Sequence, residues 1–233
     1  MHLLILGASG RTGRLAVSTA LQHGHTVTAL VRDPSKTKFD SQSGLTIVEG
    51  NPRGLQSIEK AFSTQHVDAV IVTLAVPREA DSPFAKPVGE PYLIRDSVQN
   101  VITTMKMHGT QRLVVLSAFG AKESFGNMAW PLRALMKYSN MKFVYQDHDT
   151  VDEIVRTSGL QWSLVRPAML NDGEELKNIR EFGEGGKGVG MFDSIQRRSV
   201  AEYLVSEAGK EAARCADTCC SQSSKASRKD EKM

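Results

Sequence analysis

Glycines 7, 10 and 13 stand in HLLILGASGRTGRLAVSTAL, directly after an apolar run and just before a stretch with helical spacing. Gly7 permits a tight turn, Gly10 lets the backbone approach a pyrophosphate, and Gly13 lets the helix pack closely on the strand. Ser9, Arg11 and Thr12 fill the turn. The helix start adds unpaired N–H groups and a partial positive charge. The pattern predicts a dinucleotide whose phosphates rest on residues 7–13; a glycine-rich turn with no ligand is the alternative. An acid closing the second apolar run would bond the ribose hydroxyls, but Arg32 occupies that place, with Arg11 in the turn and Lys36 just beyond. Guanidinium groups match a 2′-phosphate bidentately, which favours NADP(H) over NAD(H). The plainer reading of Arg32 is a solvated strand-end charge.

Proton chemistry has several candidates. A tyrosine whose pKa is lowered by a lysine one helical turn away is a good donor to a carbonyl. Tyr138 and Lys142 in YSNMK have that spacing, but Asn140 between them reads as a helix break. Further on, Val144, Val151, Ile154 and Val155 form an apolar stripe, which leaves Tyr145, His148 and Asp149 on a neighbouring face where they could meet a ligand. His148 titrates near neutrality one turn from Tyr145, and reads either as a proton donor or as a solvated helix histidine. Ser117, closing the fifth apolar run, suits a hydrogen bond to a substrate carbonyl or to the nicotinamide, or equally a bond capping its own backbone. Cys215, Cys219 and Cys220 are the only cysteines. An odd number crowded together makes a poor disulfide framework, and no nearby histidine completes a CxxxCC metal site. No metal is expected.

The elements that would position these residues follow from periodicity. Residues 2–6, 26–31, 45–48, 67–73, 112–116 and 162–165 read as strands, and 11–22, 54–62, 92–107 and 144–157 as helices. Strands alternating with helices, joined by right-handed crossovers, predict an α/β fold with a doubly wound parallel sheet. Prolines 77, 83, 87 and 91 make 77–91 an irregular loop at the carboxyl edge of the sheet, where ligands bind in such folds. Residues 183–190 contain five glycines and read as a substrate lid or as an ordinary connection. Ser199 and Glu202 suggest a capping box opening a last helix, 200–208. The expected organisation is one domain over 1–208 with a small C-terminal substrate-side segment, followed by a disordered tail, 209–233, which has almost no large apolar residue.

At 233 residues, 40% hydrophobic and 24% charged, the chain can bury a full core. A formal charge of +3 with scattered basic residues demands neither nucleic acid nor a membrane surface. No apolar run reaches the roughly 18 residues of a membrane span. The expectation is a cytoplasmic monomer or homodimer acting on a small molecule.

GASGRTG, VRDPSK, DAVIVTLAV, LVVLSAFGA and SGLQWSLVRPAML together resemble the NmrA-like, atypical short-chain dehydrogenase/reductases. That group includes flavin/biliverdin-IXβ reductase and oxidoreductases of fungal aromatic polyketide pathways. The resemblance covers roughly residues 1–208 and implies a Rossmann fold. It implies that Leu74, Ala75 and Val76 line the adenine and ribose side, that Ser117 and Ala118 close the nicotinamide side, and that Pro167 and Ala168 approach the carboxamide. Counted back from Arg166 and Pro167, the family's glutamate falls on Glu153, its tyrosine on Tyr145 and its lysine on Asp149. An aspartate there raises the tyrosine's pKa, which argues against ketone reduction by a Tyr–Lys pair. Asn51 stands where an aspartate is usual, and the strand that often completes the sheet has no visible counterpart after Ala208. The activity implied is hydride transfer from NADPH to an aromatic or quinone-like molecule, with Tyr145, His148 and Ser117 as catalytic candidates. The alternatives are an NADP-binding redox sensor without turnover, or a non-redox isomerase or epoxide-opening enzyme.

Overall fold

The computed structural model describes residues 1–37, 39, 42–173, 176, 178–210 and 216–222. Six strands of the main sheet come from the apolar runs: β1 (His2–Leu6), β2 (Thr26–Val31), β3 (Leu45–Glu49), β4 (Ala69–Val72), β5 (Arg112–Leu116) and β6 (Gln161–Pro167). The helices between them are α1 (Arg11–Gln22), α2 (Leu55–Phe62), α3 (Leu93–His108), α4 (Trp130–Tyr138) and α5 (Met141–Arg156). A smaller pair, β7 (Met169–Asn171) and β9 (Ser194–Gln196), precedes α6 (Arg197–Ala208), and β8 (Arg180–Glu181) and β10 (Ala216–Ser221) finish the main sheet. Its order is β3-β2-β1-β4-β5-β6-β10-β8. Every pairing is parallel except β10 with β8.

Strand period explains the double winding. In β1, Leu4 and Leu6 enter one core with Val70, Val72, Val98 and Val151, while Leu3 and Ile5 enter the other with Val17, Ala20, Val200 and Leu204. Helices α2, α3 and α5 therefore cover one face and α1 and α6 the other. Each fully buried leucine or isoleucine contributes about 1.5–3 kcal/mol. The chain winds outward from β1 through β2 and β3, then returns to place β4 on β1's other side. A crevice opens at that reversal, outside the carboxyl ends of β1 and β4.

Two expectations are corrected, and one pair of alternatives is narrowed. The stretch after Ala208 does carry the completing strand: β10 pairs with β6 along Ala216↔Ser163 to Cys220↔Pro167, with Cys219 and Cys220 fully buried. Its stability comes from a charge cluster and from small side chains rather than large apolar ones, so hydropathy missed it. Residues 211–215, including Cys215, and 223–233 lie outside the described residues. Second, Ser199 is not the N-cap of the last helix; Gln196 holds that position. Helix α6 begins at Arg197, and the Ser199 hydroxyl lies inside it, accepting from Gln222 Nε2 at 2.7 Å. The 183–190 segment, read as a lid or as an ordinary connection, packs against β10 and Phe119 and does not line the crevice, as a connection would; a Cβ at Gly186 would meet Cys219 Sγ at 2.7 Å.

Candidate active site

A cavity of about 440 Å³ occupies the crevice. The glycine turn forms its floor. Gly7 has φ +79°, and a Cβ there would lie 2.8 Å from the Thr73 carbonyl carbon. A Cβ at Gly13 would lie 2.1 Å from Gly7 O, and one at Gly10 3.1 Å from the same atom. Gly13 is thus hidden beneath the turn, while Gly7, Ser9, Gly10, Arg11 and Thr12 line the cavity. Helix α1 begins with neither a side-chain cap nor an acid in its first turn. Its first N–H groups have no intrahelical acceptor, and the positive end of its dipole faces this floor.

On the β2 side, Arg32 lines the cavity at the strand end. Lys36 does not. It pairs with Asp33 at 2.9 Å, and hydrogen bonds from Ser35 and Lys36 hold Asp33 down at about 2. Pro52 lines the wall beside Asn51, whose Oδ1 accepts from Arg53 N at 3.0 Å. On the β4 side Leu74, Ala75 and Val76 line it. From the proline-rich loop, Arg78, Ala80 and Asp81 close the mouth, and Asp81 accepts from Arg11 at 3.1 Å.

The wall beyond β5 is built by long-range contacts. Ser117 and Ala118 line it, and the Ser117 N–H donates to Val165 O at 2.8 Å. The Ser117 hydroxyl makes no hydrogen bond to another described residue. Pro167 and Ala168 do not line the cavity; Ala168 packs with Phe119 and Met128, while Leu170 of β7 does line it. Of the α5 residues, His148 alone lines the cavity, and its Nδ1 is buried without a hydrogen-bond partner among the described residues. Burial and the nearby Arg166 charge push its pKa down to about 4, so the ring is neutral at pH 7.

Tyr145 is drawn elsewhere. Its hydroxyl donates to Phe119 O at 2.9 Å, it does not line the cavity, and burial with Asp149 nearby pushes it up to about 12. Asp149 instead accepts from the Lys122 N–H at 2.6 Å, which supports Lys122 in a left-handed conformation at φ +48°. Tyr138 ends α4 and Lys142 lies in α5, across the break at Ser139 and Asn140, so they form no pair. Asp147 caps α3 from the side, accepting from Ile94 and Arg95 N–H at 3.0 and 2.9 Å. That bond locks α5 in the rotation that aims His148 inward.

Behind His148 lies a buried ionic cluster. The Arg166 side chain, fully buried, pairs with Asp152, with Asp217 at 2.9 Å and with Glu123 at 3.2 Å, and donates to Ala121 O at 2.8 Å. Arg156 also pairs with Asp152, Glu123 and Asp217. Burial and the adjoining Glu123 carboxylate push Asp217 up. The cluster ties β6, α5 and β10 together. Glu123, Asp152 and Asp217 are the only acidic group with metal-ligand spacing among the described residues, and guanidinium groups already fill it. Cys219 and Cys220 are free and buried, each pushed up to about 12 by desolvation, which suits packing rather than metal binding.

Sequence reasoning missed Arg78, Asp81, Arg197 and Leu170 as cavity residues. Arg78 and Asp81 were within reach, because the loop carrying them was already placed at the sheet's carboxyl edge. Arg197 was not, since its helix appeared to begin later.

A doubly wound sheet with an uncapped helix over a glycine turn at its switch point defines a dinucleotide-binding protein of Rossmann type. The sequence profile of the NAD(P)H-binding family matches residues 7–211. Reductase pytE of Aspergillus terreus is 24% identical, with 87% of this chain and 89% of that protein covered. The photosystem II assembly factor Ycf39 of Synechocystis is 28% identical over 71% of this chain, which spans about half (47%) of Ycf39's own length. ChuY, an anaerobilin reductase from Escherichia coli O157:H7, superposes with a TM-score of 0.77 at 18% identity, covering 97% of this chain and 99% of ChuY. A Veillonella parvula short-chain dehydrogenase/reductase solved with NADP gives 0.74 at 16% identity, covering 96% and 95%. The chain belongs to the NAD(P)H-binding family. No helix among the described residues is long and apolar enough to cross a membrane.

Proposed function

We propose that this chain is an NADPH-dependent reductase that passes hydride to an aromatic, quinone-like small molecule in the cytoplasm. The residues fit the cofactor: the glycine floor has no room for a Cβ, the uncapped start of α1 can receive an anion, and the Arg32 guanidinium at the end of β2 supports a 2′-phosphate. NADPH when bound supplies the hydride. Leu74, Ala75 and Val76 take the adenine and ribose side, and Ser117 and Ala118 the nicotinamide side. The Ser117 hydroxyl donates to the substrate oxygen or the carboxamide. His148, neutral, presents its ring to the substrate as a hydrogen-bonding wall.

The observation that carries the substrate class is the state of the proton donors. Tyr145 is committed to Phe119 O and raised to about 12, and His148 is lowered to about 4. Hydride addition to an isolated ketone leaves a strongly basic alkoxide that needs a proton during the step. Addition to a quinone or flavin leaves a delocalised anion that takes its proton from water afterwards. This wall suits the second kind. Tyr145 is then a positioning residue for the Phe119 backbone. A redox sensor without turnover is the second reading, favoured by the same lack of a matched donor and by the assembly-factor relative. Acid-driven isomerisation or epoxide opening loses support, since it asks most of the groups least able to protonate.

Titration of NADPH fluorescence, followed by absorbance at the reduced-nicotinamide band with quinones, flavins and aromatic ketones, tests the reading. Consumption with quinones or flavins and little with ketones is expected. Tight binding without consumption by any acceptor would move the assignment to the sensor, and absence of binding would overturn both.

A further inference from the structure

We propose that Arg11 and Arg197 are the two jaws of a clamp on the dinucleotide's diphosphate, and that Asp172 is the counter-ion they share until it arrives. The proposal rests on the dinucleotide lying in the β1–β4 cavity. Arg11 is the first residue of α1 and Arg197 the first of α6, two helices that pack side by side on one face of the sheet. Both line the cavity, and with Asp172 both also line a shallower cavity beside it on the outer side of α1.

Both also hold the same carboxylate. Arg197 Nη1 donates to Asp172 Oδ1 at 2.7 Å, and Arg11 Nη2 donates to Asp172 Oδ2. One anion whose two oxygens are each taken by a separate guanidinium does what a bridging phosphate would do between them. Asp172 directly follows β7, whose Leu170 forms part of the cavity wall. The exposures identify the mobile partner: the Arg197 side chain is 14% exposed, whereas Asp172 is 56% exposed. Arg11 also holds Asp81, which is 84% exposed. Such pairs half in water are weak, so both acids can turn outward when a stronger anion enters. The enclosed guanidinium cannot follow them and stays on the cavity wall. The floor beneath is open to a diphosphate, because Gly10 leaves its backbone bare and α1 is uncapped.

Binding to the full chain, read by nicotinamide fluorescence and by calorimetry, separates this clamp from a merely structural tie. Arg197→Gln should weaken NADPH and NADH alike, by about tenfold or more for a charge-assisted contact. Arg197→Lys should lose less. Asp172→Asn should tighten both dinucleotides severalfold, because it removes the competing anion. Adenosine 2′-monophosphate, which has no diphosphate, should bind Arg197→Gln as it binds the wild type and should lose affinity in Arg32→Gln. Thermal unfolding of each variant confirms that it is folded. Unchanged dinucleotide affinity in both Arg197 variants would overturn the clamp alone. Weakening by Asp172→Asn to the same degree as Arg197→Gln would also overturn it, by making Asp172 a tie. Failure of the wild type to bind any dinucleotide would overturn the placement and the clamp with it.

Discussion

The two sides of the cavity are built by different means. The glycine floor is local: strand, turn and helix are consecutive, and the shape follows from backbone conformation and from side chains that are absent. The far wall, with Ser117, Ala118 and His148, is assembled from β5, α5, β6 and β10, held by buried charges between residues far apart in sequence. A local device binds what related folds share, the dinucleotide. A wall held by long-range contacts can change its chemistry while the floor stays the same.

The largest effect that would break this contrast is expected at Arg166. Arg166→Met leaves Asp152 and Asp217 buried without their main partner and should cost about 3–5 kcal/mol in denaturant unfolding. The loss should unseat β10 and the far wall while the glycine floor, if the two are separable, still binds adenosine phosphates in the folded fraction. A cost within 1 kcal/mol would mean that the cluster is not what holds the wall.

His148 gives the next effect, read through pH. The unfolded chain protonates this residue near 6.5 and the folded protein only near 4. Above pH 6.5 both states are neutral and the residue contributes no pH dependence. As pH falls from 6.5 to 4 the unfolded state alone takes the proton, so stability drops by about 3 kcal/mol. His148→Gln should flatten that slope relative to the wild type. Equal slopes in the two proteins would mean that His148 titrates normally.

Gly13→Ala probes the floor. Its Cβ would strike Gly7 O at 2.1 Å, so the turn must shift; the cost is about 1–3 kcal/mol, and NADPH binding should be lost. Binding at wild-type strength would contradict the floor's role. The smallest effect is expected from Tyr145→Phe, which removes one hydrogen bond to Phe119 O and costs about 0.5–1.5 kcal/mol. Turnover should stay within a few-fold, since the phenol does not reach the cavity.

The same contrast explains what the sequence could tell. The floor was legible residue by residue, because the glycine spacing and the flanking periodicities state local geometry directly; α1 spans 11–22 as read, and β1, β2 and β5 keep their expected bounds. The wall was legible only in part. Helical phase put Tyr145 and His148 near one face, but not the bond that turns Tyr145 onto Phe119 or the burial that keeps His148 neutral. Strand β10 was invisible because its partners are Arg156 and Arg166, and no hydropathy pattern records an ion pair across 61 residues. Arg197 escaped because its meaning depends on α6 lying beside α1.

The central claim is that hydride reaches an acceptor without a proton from the protein, and the pH profile of NADPH oxidation with a quinone tests it most directly. Between pH 6 and 8.5 neither Tyr145 nor His148 titrates, and the raised Asp217 does not line the cavity, so kcat should stay flat and exceed that with an aromatic ketone throughout. A bell-shaped profile centred near neutrality and abolished by Tyr145→Phe or His148→Gln would contradict the account.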